Sequence, residues 1–538
     1  MDPSRAGGGT DGGHIVQRRL RFMPAQDNGR KEPLFDLIRS LTKAEKRNFK
    51  LYATRQGDAN AKFIVLFDAM EAMDVYDEQK LMKRCGITKS QIANIKAHLY
   101  RQILVSVRLI GVSHSLRMQL SEQIDFARIL YDKGLHGQCL RVLDKAKKIA
   151  VESGQSTIAL EIVEFEKTVE THHLARTSTR ADQLSAQTTE LCERIEVSNK
   201  LSNIAVQLYN LHLKLGYVRS QRDLCMVTDF FKPQIDSFSE MELSFIEQVQ
   251  LAQARMWYAH ILHDFPACFR YSRRIIELFD NNGHLKPLYY DYYLKAYSRY
   301  LESLFLTRNW RRLSSAIDRY EKAIEDIVTI NTNASILSYL ALYLHRVNLY
   351  LMEGSFTSGI SIVADVERYI SSAGSYLDTH YKMLLYYKIA CLYFGAADYR
   401  KCIYYLERII SVRDQSIRRD LQCFARMLNL IASYEAGLDY NLDYQIRNVY
   451  TFIIKMNDMH GVQKVLISFL KRLNHIYAGD FKQELRNLYD RIKPYESHPY
   501  ERRTFFYLDI ISWLESKLED RSVEEIVSAK FRKGLRDL

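Results

Sequence analysis

Proline and glycine are scarce in this sequence, and that scarcity is the first constraint on its fold. Eight prolines and 22 glycines in 538 residues compare with usual shares of ~5% and ~7%. Proline removes a helical hydrogen bond and clashes with the preceding turn, so few breakers leave long helices open. The alternating Val/Thr-rich runs that would argue for strands are missing as well. The chain reads as all-α.

Further absences narrow the chemistry. The eight cysteines (Cys85, Cys139, Cys192, Cys225, Cys268, Cys391, Cys402 and Cys423) form no Cys-x-x-Cys pair, which leaves buried thiols in a reducing compartment as their reading. No run approaches the ~18–20 apolar residues that cross a bilayer, and the nearest, Ile103 to Val112, is broken by Arg108. The start, Gly7-Gly8-Gly9-Thr10-Asp11-Gly12-Gly13, is not the apolar core of a signal peptide. A cytoplasmic protein without a membrane segment is expected. Gly-x-x-x-x-Gly-Lys-Ser/Thr, Gly-x-Ser-x-Gly and His-Glu-x-x-His are all missing, so no P-loop, nucleophile elbow or zinc-protease helix is expected. His260 and His263 have a metal-compatible spacing but lack a third ligand, because Asp264 is claimed by a turn. His172 and His173 are adjacent and point to different faces. No catalytic residue, metal or cofactor is expected, and the chain is read as non-enzymatic.

Charge is present in excess and unevenly placed. The formal net charge is +12, from 76 Lys and Arg against 64 Asp and Glu. Residues 33–112 hold 14 Lys/Arg against 8 Asp/Glu, about half of the whole surplus. Before them, residues 1–32 show no helical period and read as a disordered tail, with Met23 as an alternative start. Residues 33–116 then form a basic helical module. Leu34, Leu37, Ile38 and Leu41 make an apolar stripe. Thr42 to Glu45 is a capping box ahead of a helix that buries Phe49. A helix over Ala61–Ala72 presents Phe63, Leu66, Phe67 and Met70. A long one over Ser90–Ile110 buries Ile92, Ile95, Leu99, Ile103 and Val107 at spacings of three and four.

Helix pairs repeat from about Arg117. In the clearest, Tyr386, Ile389, Ala390 and Tyr393 line a first helix. Gly395-Ala396-Ala397-Asp398-Tyr399 makes the turn, and Cys402, Leu406 and Ile409 line a second helix. The outline returns at Tyr343, Val347, Tyr350, Gly354, Phe356, Gly359 and Val363. It recurs at Tyr297, Leu301, Leu304, Asn309, Trp310, Leu313 and Ile317, at Met256, Ala259, Asp264, Phe265 and Cys268, and at Phe126, Ala127, Leu130, Gly134, Cys139, Leu143 and Ala146. The markers Cys268, Leu313, Gly359 and Cys402 recur at about 45 residues. Among the 36 tyrosines, Tyr293, Tyr297 and Tyr300 form a buried stripe, while Tyr289, Tyr290 and Tyr292 are free to line a groove. Pro233 after Phe230-Phe231 reads as a break. The expected division is therefore 117–233 and 234–455 as two repeat arrays, and 456–538 as a cap. In that cap Phe505, Phe506, Leu508, Ile511, Trp513 and Leu514 shield the last repeat, and the charged tail from Glu519 lies outside it.

These turn and crossing residues resemble the tetratricopeptide repeat, with a unit longer than that family's usual 34 residues. Leu41 to Tyr52 and Ser512 to Lys517 also resemble tyrosine-rich repeat proteins of Bacteroidetes-type bacteria. The resemblance implies a right-handed α-α superhelix that binds proteins or peptides on the concave face of its first helices. Carried onto this sequence, that face comprises Arg128, Trp257, His260, Lys295, Arg299, Glu302, Asn348 and Tyr387, a mixed surface for a segment of acidic character. Trp257→Ala and Arg299→Ala are expected to leave the fold intact and weaken partner capture. A rival reading is a DNA-binding regulator with a repeat sensor. Lys80 to Ile103 resembles a helix-turn-helix whose outer face would offer Lys89, Gln91, Asn94, His98 and Arg101 to phosphates and base edges.

Overall fold

The computed structural model describes residues 32–56, 62–111, 115–173, 178–215, 217–218, 220–238, 241–415, 417–438, 442–456, 461–472, 480–498, 505 and 509–536. Residues 1–31 of the tail expected over 1–32, Met23 among them, lie outside these, as do Phe506 and Leu508, whereas Glu32 is described and pairs with Lys96 at 3.1 Å. The described residues are helical, with no strand among them. The chain divides into two compact units, Met1–Ser198 and Asn199–Leu538.

The first unit opens with α1 (Pro33–Ser40), α2 (Lys43–Gln56), α3 (Lys62–Glu71), α4 (Glu78–Cys85) and α5 (Ile92–Gly111). Proline at the first helical position starts α1, where its missing N–H costs nothing. The expected capping box is present: Thr42 N–H donates to the Glu45 carboxylate at 2.7 Å, and Glu45 N–H to Thr42 Oγ1 at 3.2 Å. Leu34, Ile38, Phe49, Leu66, Phe67, Met70, Leu81, Ile92, Leu99 and Ile103 make one core. Helix α3 packs against both α4 and α5. Beyond these, α6 (Leu116–Asp132), α7 (His136–Glu152) and α8 (Ser156–His173) stack in succession on a second core around Cys139 and Leu143. Phe126, expected in that core, is 45% exposed, while its neighbour Ala127 takes the contact. Helix α9 runs unbroken over Ser178–Leu215.

The second unit continues with α10 (Gln221–Asp236). Pro233 lies inside α10 and the helix runs three residues past it, so no break occurs there. Five helix pairs follow. They are α11 (Phe245–Ile261) with α12 (Phe265–Asn281), and α13 (Tyr290–Leu306) with α14 (Trp310–Ala323). Next comes α15 (Thr332–Glu353) with the short α16 (Phe356–Gly359) and α17 (Val363–Ala373). The last two are α18 (Thr379–Gly395) with α19 (Tyr399–Ile410), and α20 (Arg419–Glu435) with α21 (Leu442–Lys455). First helices begin 40–47 residues apart, and α13, α15, α18 and α20 pack one on the next. Cys402, Leu406 and Ile409 are fully buried, as are most atoms of Tyr293, Tyr297 and Tyr300.

Each turn within a pair is built alike. One residue adopts a left-handed backbone (His263, Arg308, Gly354, Ala397 or Gly437). A polar residue then caps the second helix in three of them: Asp264 accepts from Ala267 N–H at 2.9 Å, and Asp398 from Lys401 N–H at 3.1 Å. Asn309 does so for Arg312 N–H at 3.4 Å. Close approach explains Gly395: a Cβ there would sit 2.3 Å from the Phe356 ring. Small residues at such crossings let the helices close up.

After α22 (Gly461–Arg472) and α23 (Phe481–Ile492), the last helices α24 (Ile510–Leu518) and α25 (Val523–Arg536) turn back along the turns of earlier pairs. Trp513, almost wholly buried, donates its indole N–H to Glu435 at 2.7 Å, and Lys517 pairs with the same carboxylate at 2.5 Å. Glu524 accepts from Thr357 N–H and Oγ1–H at 3.1 and 2.5 Å. Ser528 donates to the Gly354 carbonyl at 2.9 Å, and the Phe531 ring meets Trp310 edge-on at 5.6 Å. The charged tail expected outside the apolar segment therefore holds a docked helix over Val523–Arg536. Its charges are interleaved with Val523, Ile526, Val527 and Phe531 at helical spacing, and the first three are buried.

Candidate functional site

Four successive first helices place polar side chains in one row. From α11 come Trp257 and His260, from α13 Ser298, Arg299 and Glu302, from α15 His345 and Asn348, and from α18 Tyr387, Lys388 and Cys391. Arg299 links the first two helices. Its guanidinium lies 4.9 Å from the Trp257 ring centroid, meets His260 Nε2 at 3.4 Å, and pairs with Glu302. His260 also meets Tyr217 Oη at 3.1 Å. Ser298 Oγ to His345 Nε2 is 3.2 Å and joins α13 to α15, and Asn348 Nδ2 lies 3.4 Å from His345 Nδ1. The Lys388 ammonium reaches across α15 to within 4.9 Å of the Phe305 ring centroid on α13.

The electrostatics follow from crowding. Arg299 and Glu302 are closely surrounded by protein, yet 27% and 30% of their side-chain surfaces still meet solvent. The pair is enclosed by its neighbours without being sealed from water. Burial disfavours both charges, but each offsets the other's penalty, so the Arg299 pKa stays raised and the Glu302 carboxyl falls below its ordinary value. His345, 1% exposed, is pushed down to about 4 by burial, with Lys388 and Arg299 adding to the shift. Burial also lowers the Lys388 pKa and pushes the Cys391 thiol up to about 12. A thiol held protonated is a poor nucleophile.

Of the eight residues projected onto a concave face, Trp257, His260, Arg299, Glu302, Asn348 and Tyr387 do meet in this row, but not as an open surface. Trp257, His260, Asn348 and Tyr387 are 9%, 2%, 3% and 1% exposed. They pack between helices, which are 17 to 22 residues long. The packing of the Trp257 ring on Tyr209, His212 and His260 argues against the expectation that Trp257→Ala spares the fold. Lys295 stands apart, 57% exposed and within 3.9 Å of Asp291 on its own helix. Arg128 belongs to the first unit, where it pairs with Glu161 at 2.9 Å.

Sequence reasoning missed His345 and Lys388. The signal was available, because Glu302, His345 and Lys388 follow one another at steps of 43 residues, within the period the turns had already given. The five residues proposed for nucleic acid, Lys89, Gln91, Asn94, His98 and Arg101, are all exposed on the first unit. His98 rests edge-on against Phe63 at 5.0 Å. No group of three or more potential metal ligands occurs among the described residues, and no described helix is long and apolar enough to cross a membrane. No family model, curated protein or solved structure matches the chain.

Proposed function

We propose that the chain is a protein- or peptide-binding repeat scaffold, built as a tetratricopeptide-like right-handed α-α superhelix. On this reading it is cytoplasmic and non-enzymatic, and the recess along α11, α13, α15 and α18 receives a segment of acidic character. The observation that supports this is Lys388. The residue is 9% exposed; its ammonium faces the Phe305 ring and feels the charge of Glu302 and the Cys391 thiol, but no hydrogen bond or ion pair ties it down among the described residues. A buried cation without an acceptor is costly, and an incoming carboxylate would offset that cost. Asn348 Oδ1, buried and unpaired, is an acceptor for a ligand N–H nearby.

Affinity capture from lysate of the source cell, with the full chain as bait, tests the reading. Lys388→Met is expected to fold normally, because it removes an unpaired buried charge, and to lose the partners that the native chain retains. An identical set of captured proteins from both baits would count against the recess. Arg128→Ala is the matching control and is expected to capture normally.

A further inference from the structure

From Gln79 to Ser121 the sequence contains no Asp or Glu but eight Lys or Arg. That run includes all of α4 after Glu78, the turn that follows it and all of α5. The structure determines which of these cations reach solvent. Lys96 is committed inward, 2.7 Å from Glu78 and 3.1 Å from Glu32, and Arg108 pairs with Asp125 at 3.1 Å. Lys83, Arg84, Lys89 and Arg101 are exposed and have no hydrogen-bond or ion-pair partner among the described residues.

Their placement is ordered by the fold. Helix α4 ends at Gly86, whose left-handed backbone (φ 61°) lets its N–H bond back to the Met82 carbonyl. Ile87 and Ile92, buried on either side of the next turn, seat α5 against α3. Gln91, just before α5, and Asn94, His98 and Arg101 on it then recur at spacings of three and four, all exposed. At ~1.5 Å per residue this face is about 15 Å long, and a major groove ~12 Å wide admits one helix. Exposed Ala93 and Ala97 leave the backbone between the polar residues unobstructed.

We infer that α4, the Gly86 turn and the first three turns of α5 form a duplex-DNA-binding surface, with the start of α5 entering the major groove. Lys83, Arg84 and Lys89 contact phosphates, whose charge they complement, while the nearest carboxylates, Asp77 and Glu78, are already paired with Lys80 and Lys96. Gln91, Asn94 and Arg101 face base edges, the amides suited to adenine and the guanidinium to guanine. This inference is independent of the peptide recess, because it concerns a different unit and different residues.

Fluorescence anisotropy of the full chain with a labelled 20-base-pair duplex at 50 and 200 mM salt tests it. Micromolar binding is expected at 50 mM, weakening at least tenfold at 200 mM as counterions are released. Lys89→Glu with Arg101→Glu is expected to lower affinity at least tenfold at 50 mM salt. Lys295→Glu, at an exposed lysine of the second unit, leaves it unchanged. Gln91→Ala with Asn94→Ala, which keeps every charge, leaves the salt slope intact and narrows the spread of affinity among duplexes of different sequence. Absence of binding at 50 mM, binding indifferent to the Lys89/Arg101 reversal, or tighter binding to single-stranded RNA of equal length each overturns the inference.

Discussion

Two sets of cations with similar side chains stand in opposite circumstances here. Along α4 and α5, Lys83, Arg84, Lys89 and Arg101 are exposed and unpaired. Along α13 and α18, Arg299 lies between an indole, an imidazole and a carboxylate, and Lys388 is 9% exposed. Exposed cations keep their hydration, interact weakly with any one neighbour, and sum into a field that a polyanion feels at range. Enclosed cations have lost that hydration, so each must be matched by a shaped partner. The first set can be altered at little cost to folding, whereas the second is part of the packing. Substitutions divide the two regions on that basis.

The largest expected effect is at Trp257. Its ring is 9% exposed and packs on Tyr209 at 5.2 Å and beneath the Arg299 guanidinium. Truncating a buried indole leaves a cavity and costs about 3 kcal/mol or more. Denaturant unfolding of Trp257→Ala checks this, and a loss below about 1 kcal/mol would mean that the row is a solvated face after all.

Acid is expected to act next most strongly. The His345 value of about 4 in the folded chain lies below the ~6.5 of an unfolded histidine. Between those values the unfolded chain binds more protons, so stability rises with pH. The contribution is fully present above pH ~6.5 and is lost as pH falls toward 4, on the order of 2–3 kcal/mol for one such group. His380, also held near 4 by burial and then by Arg418, acts in the same direction. His345→Gln should therefore roughly halve the slope of unfolding free energy across this window. An unchanged slope would show that His345 is hydrated.

Glu302→Ala comes third. It strips Arg299 of its carboxylate inside the recess, which in a fully buried pair would cost ~3–5 kcal/mol. Because about a quarter of Arg299 still meets solvent, a loss of about 1–2 kcal/mol is expected. Glu302→Ala with Arg299→Met should recover most of it, and failure of that double variant to recover would separate the two residues energetically.

How much of this was legible beforehand depends on range. Elements set by neighbours three or four residues apart were readable, and the Thr42–Glu45 box and the Tyr293, Tyr297 and Tyr300 stripe stand as the spacing predicts. The left-handed turn positions were readable only in part, since His263, Arg308 and Ala397 occupy sites where glycine would be expected. The return of α25 was not readable at all. Glu524 meets Thr357 across 167 residues, and no local pattern encodes that pairing. The inner row was half readable: the period was right, but the offset carried over from the resembling family placed Asn348 and Tyr387 on a surface, whereas both are buried between helices.

The smallest expected effect on stability completes the contrast. Lys89→Ala with Arg101→Ala should change unfolding free energy by no more than about 0.5 kcal/mol, the usual range for surface sites away from caps and cores. Neither side chain has a partner to leave unsatisfied, and α5 is seated by Ile92, Leu99 and Ile103, 4%, 0% and 0% exposed. Relief of repulsion among nearby cations could even raise stability slightly at low salt, an effect that screening at 0.5 M salt should erase. The measurement is a pair of denaturant titrations at the two salt concentrations. A loss above about 1 kcal/mol would place Lys89 or Arg101 in the packing of the first unit, and the distinction between solvated and enclosed cations would no longer hold there.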